Sequence, residues 1–168
     1  MAEFLVRIVL RRPDTVDDDI WASTLDTPAK LVGTEGGGGR LMMTVIDLAT
    51  TALAGEQVGV IEKAMNLLAA ARTPQGQLAE VTMDHVTAVS LWRRAINEQE
   101  ARSPGASPLA AAAHVGCSRA AVRSATAAAQ LLGPSEETDA LLRRALSANL
   151  LFGGPALSHE RLLERLGV

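Results

Sequence analysis

The chain has 168 residues and a formal charge of −3, with 48% hydrophobic and 21% charged residues. That is enough for one domain with a real core, and too apolar for a disordered chain. Alanine supplies 29 residues and leucine 23, tyrosine is absent, and Phe4, Trp21, Trp92 and Phe152 are the only aromatics; this excludes an all-β fold and points to packed helices.

Taken in chain order, residues 4–10 alternate Phe4, Val6, Ile8 and Leu10 on one side against Arg7 on the other, the pattern of a short strand. The segment is too short and too charged for a secretory signal. No window is long and apolar enough to span a membrane, so the expected compartment is the cytoplasm. Glu3–Ile8 followed by Arg11-Arg-Pro-Asp14 resembles the first strand of muconolactone-isomerase-type α+β proteins.

Residues 11–43 read as irregular, with Asp17-Asp18-Asp19 as a solvated acidic loop and Glu35-Gly-Gly-Gly-Gly-Arg40 as a flexible linker. The run Gly36–Gly39 lacks the Gly-Lys-Ser/Thr that would make it a phosphate loop. Two regions are therefore expected: 1–43, a strand or ribbon with a glycine-rich linker, and 44–168, a helical domain. A lone strand needs a partner strand, from this chain or a second copy.

From Thr44, Ile46, Leu53, Val60 and Leu67 recur every seven residues, predicting a helix to about Arg72 that Gly55 and Gly59 either break or bring close to a neighbour. After Thr73-Pro74-Gln75-Gly76 a second helix is expected over 77–102, with Leu78, Val81, His85, Val89, Trp92 and Ile96 on one face. Ser107 reads as an N-cap with Pro108 at the first helical position. Two short helices, 108–115 and 118–132, are expected on either side of Gly116. Ser135 should cap a helix that opens with Glu136, Glu137 and Asp139, where the helix dipole favours acids. Gly153-Gly154-Pro155 stops it, and a last helix starts at Ser158. The fold class is mainly α: a bundle of five to six helices with a short N-terminal strand or ribbon.

The segment Pro108–Ala127 resembles the helix-turn-helix of bacterial transcription regulators. Ala112 is small where two helices would cross, Gly116 sits where the turn needs positive φ, and Ser118 is placed to cap the second helix. The string Ser118-Arg-Ala-Ala-Val-Arg-Ser-Ala125 is similar to regulators of the GntR type. The resemblance implies a DNA-binding transcriptional regulator acting as a homodimer, with 118–127 in the major groove. Ser118, Arg119, Arg123 and Ser124 would then face DNA, with Arg102 as a further phosphate contact. Charge points the same way. Residues 1–84 carry 7 basic and 12 acidic side chains, whereas residues 85–168 carry 9 and 7. The Ala112-x-x-x-Gly116 pattern also suits any tightly packed helical bundle, which makes a non-enzymatic oligomerisation or scaffold protein the alternative.

The stretch from Ala110 onward also resembles AhpD-like carboxymuconolactone decarboxylase proteins, with Cys117 at the first cysteine of their Cys-x-x-Cys. Ala120 and Ser124 stand where the second cysteine and the histidine belong, so that resemblance implies a helical relative without the redox pair. His114-x-x-Cys117 offers two ligands, too few for zinc, and Cys117 and His85 read as core residues. Ser158-His159-Glu160 are neighbours in sequence only, and no cofactor box, metal site or catalytic residue is expected.

Overall fold

The computed structural model describes residues 37–148, 158–160 and 163. The described residues form four long helices and a further helical stretch at 158–160: α1 (Gly37–Ala70), α2 (Gln75–Glu100), α3 (Ala106–Leu132) and α4 (Glu136–Ala148). The fold is mainly α, as the composition requires. The predicted strand at 4–10 and the acidic run at 17–19 lie outside the described residues. The chain divides into two compact units, Met1–Ala49 and Thr50–Val168. In the first, residues 37–49 are the start of α1, with Val45 and Ala49 buried.

Several boundaries depart from the sequence reading: α3 opens at Ala106 with Gly105 at its N-cap, so Ser107 lies inside the helix instead of capping it. The expected linker is helical from Gly37 onward, so Gly37, Gly38 and Gly39 open α1. Neither Gly55 nor Gly59 breaks α1; the helix propensity of the surrounding Ala, Leu, Glu and Lys residues carries it through.

Helices α1 and α2 both end in the same way. At the first, the Thr73 amide donates to the Leu68 carbonyl and the Arg72 amide to that of Ala69. At the second, Ser103 donates to Glu98 and Arg102 to Gln99. These are Schellman caps, which satisfy the last carbonyls by turning one residue left-handed. Glycine is the usual occupant, yet Arg72 (φ 53°) and Arg102 (φ 51°) hold the position.

The N-terminus of α4 follows prediction closely. The Ser135 hydroxyl accepts from the Thr138 amide at 3.2 Å, and the Thr138 hydroxyl accepts from the Ser135 amide at 2.9 Å. This reciprocal capping box uses threonine where glutamate is commoner, and three acids fill the first turn.

Within the second unit one core joins all four helices. It runs through Ala54, Ile61, Ala64 and Leu68 of α1 and Val81, Ala88 and Ala95 of α2. From α3 come Ala113, Cys117, Ala121, Ala125 and Ala128, and from α4 Leu141 and Ala145. Alanine dominates it, so helix axes approach closely and large side chains fill the margins. On α2 this moves the centre of the buried face. Val81, Ala88 and Ala95 are buried, while Leu78, His85, Val89, Trp92 and Ile96 flank them half-buried. Trp92 lies against α1, its indole N–H donating to the Thr51 carbonyl at 3.1 Å, and Gln99 donates to the Thr51 hydroxyl at 2.7 Å. The pairs Asp84–Arg123, Ala88–Cys117 and Leu91–Gly116 run in opposite senses, so α2 and α3 are antiparallel neighbours.

Candidate functional site

The expected break at Gly116 does not form. Helix α3 runs without interruption from Ala106 to Leu132, and Gly116 sits within it as a helical residue. The physical reason lies on α2. A Cβ at position 116 would stand 2.9 Å from Leu91 Cδ2, so the missing side chain makes room for a helix contact rather than for a turn. Alanine-rich flanks on both sides supply the helix propensity that continues the helix.

This continuity decides where each predicted residue points. Ser118 and Ser124 are fully buried, and neither hydroxyl has a hydrogen-bond partner among the described residues. Both face the bundle interior, together with Ala120, Ala121 and Ala125. Arg119 and Arg123 lie one turn apart on the exposed side of α3. Arg123 is engaged: its Nη2 and Nε donate to the two carboxylate oxygens of Asp84 at 2.6 and 3.2 Å, an exposed fork-like pair bracing α3 against α2. Arg102 is exposed at the left-handed end of α2, and its neighbour Ser103 donates its hydroxyl to the Glu98 carboxylate. Arg119 and Arg123 are thus brought together, while Arg102 belongs to a helix cap and the two serines to the interior.

The chemistry-bearing residues of α3 are inward-facing. The Cys117 thiol is fully buried and donates to the Ala88 carbonyl at 3.5 Å. Burial pushes it up to about 12, so at neutral pH it stays a thiol, the unreactive form. His114, one turn earlier, is buried too, its Nδ1 2.8 Å from the Ser158 hydroxyl. Burial lowers its pKa to about 4, which keeps the imidazole neutral. Ser158 is buried at this contact while His159 and Glu160 are exposed, so the three do not act as a unit. Among the described residues no three His, Cys, Asp or Glu side chains gather where a metal ion could be held. No described helix is long and apolar enough to cross a membrane.

Two features of the second unit have no counterpart in the sequence reading. Gln57 of α1 is wholly buried, and neither amide atom has a partner among the described residues. The outer face of α2 carries Ala79, Met83 and Val86, all exposed and spaced by four and then three residues. Met83 is 65% and Val86 54% exposed, the two most exposed large apolar side chains described. The four-then-three spacing of this stripe was available in the sequence, beside the stronger inward periodicity of the same helix.

Comparison with protein-family models, with curated protein sequences and with solved structures finds no match to this chain.

Proposed function

We propose that the chain is a non-enzymatic helical assembly module that pairs with a second copy of itself through the outer face of α2. The observation that carries this reading is the exposed stripe Ala79–Met83–Val86, continued at the same spacing by Ser90 and Arg93. Spacing of four and three is what one helix needs to lie along another. Large exposed apolar side chains in a row mark a surface that is covered in use, and methionine adapts to whatever covers it.

Charge selects the partner. In a two-fold symmetric contact residue i meets j and j meets i. Antiparallel pairing of α2 about a point near Thr87 sets Glu80 of one copy against Arg94 of its partner, twice, with Met83 and Val86 between them. Glu80, Met83, Val86, Thr87 and Arg94 are all exposed. Sedimentation velocity over a wide concentration range tests the reading. The wild type shifts from monomer to dimer, and the Met83→Glu/Val86→Glu double variant stays monomeric. A wild type that is monomeric at every concentration, or a double variant that dimerises equally well, overturns it.

A second reading, nucleic-acid binding by a transcriptional regulator, is favoured by the exposed pair Arg119 and Arg123. With α3 continuous, its contacts are to phosphates rather than to base edges. It predicts salt-dependent mobility shifts of genomic DNA fragments, with the salt slope falling by about 1 in the Arg119→Ala variant, Arg123 being already paired with Asp84. No shift at low salt removes this reading.

A further inference from the structure

Between α1 and α4 lies a half-open notch of about 100 Å³, lined by Gly59, Val60, Lys63, Ala140, Leu141 and Arg144. Val60 and Leu141 are buried and give it an apolar floor. Gly59 is exposed at its edge, where a Cβ would meet nothing within 4 Å. Lys63 and Arg144 are exposed at its rim, one from each helix. Among the described residues neither has an acidic partner. Two like charges that line one small opening repel each other. A bound anion turns that repulsion into attraction.

We infer that this notch is a binding site for a small organic anion, a carboxylate carrying a short apolar tail. The tail fits the Val60, Ala140 and Leu141 surface. The carboxylate lies between the ammonium of Lys63 and the guanidinium of Arg144, whose paired N–H groups match its two oxygens. An apolar floor with a few polar groups at the edge is the usual make-up of a small-molecule site. The inference uses α1 and α4 only, and stands or falls separately from self-association through α2.

The test is a titration of the full chain with sodium butyrate, followed by amide ¹H–¹⁵N shifts, with sodium chloride at equal ionic strength as reference. Butyrate is expected to give saturating shifts centred on Gly59, Lys63, Ala140 and Leu141, and chloride only small linear ones. Lys63→Met and Arg144→Met are each expected to weaken binding at least tenfold. Gly59→Leu keeps both cations, improves helix propensity and adds bulk to the lining of the notch, and is also expected to abolish saturation. Shifts that are linear and equal for both salts overturn the site. Undiminished binding in Gly59→Leu overturns the notch as its location. Inorganic phosphate binding more tightly than butyrate overturns the assignment to an apolar-tailed carboxylate.

Discussion

His114 ties the middle of the fold to its C-terminal segment, because the imidazole bonds Ser158 from a fully buried position. Its pKa falls from 6.5 to about 4 on folding, so the unfolded chain binds the proton more readily. Stability linked to this residue is therefore complete above pH 6.5, declines as pH falls through the window between 6.5 and 4, and is fully lost below it. The loss amounts to roughly 3 kcal/mol. Urea unfolding of wild type and His114→Gln across that window is expected to give two curves that converge towards acid by about this amount. Parallel curves contradict the account. Gln57 is a buried polar side chain neither of whose amide atoms has a partner among the described residues. Replacing it by methionine, of similar length and without polar atoms, should raise stability by about 1–3 kcal/mol in the same assay. A loss of stability would mean that the amide is in fact partnered. Neither residue could be singled out by composition or spacing. A buried histidine is legible as a core position, but its partner Ser158 lies 44 residues away, and only the return of the chain after α4 brings the two together.

At the scale of the helix, the two glycines that the sequence marks as breaks make opposite predictions. Gly116 is helical, and the atom nearest its absent Cβ is the flexible end of Leu91. Gly116→Ala should gain up to about 1 kcal/mol of helix propensity, less a small cost for moving Leu91, and so be neutral or stabilising. A tight turn with positive φ at this position would make the same change clearly destabilising. At Gly55 a Cβ would stand 2.9 Å from two carbons of the Trp92 ring, a rigid group held by its bond to the Thr51 carbonyl. Gly55→Ala should therefore cost about 1–3 kcal/mol through overpacking. Thermal melts of the two variants decide both. Much at this scale is legible in the sequence: the ends of α2 to within two residues and the acidic first turn and Ser135 cap of α4 follow from local rules. Of the α1 stripe, Leu53 and Val60 are buried and Ile46 and Leu67 only half-buried. What misleads at Gly116 is that a glycine for a turn and a glycine for a close helix approach look the same from one strand of text. Leu91, the residue that separates them, belongs to another helix. The expected reading face rests on that turn, and in the continuous helix Ser118 and Ser124 are buried.

Among the described residues of the molecule, an alanine-rich core draws four helices together, and few large apolar side chains are left exposed. That economy is what makes Met83 and Val86 informative, because a chain that buries Val81, Ala88 and Ala95 on the same helix leaves its larger neighbours in water. The net charge of −3 hides this arrangement, in which Glu80 and Arg94 flank the exposed stripe on one side. Self-association is the central claim, and a cysteine placed at its axis tests it most directly. Thr87 lies midway between Glu80 and Arg94 and is exposed, while the native Cys117 is buried and takes no part. Under mild oxidation the Thr87→Cys variant is predicted to form a covalent dimer rapidly and nearly completely. A control cysteine at the exposed Glu62 of α1 is predicted to remain largely monomeric. A Thr87→Cys variant that cross-links no faster than the Glu62→Cys control would contradict the account.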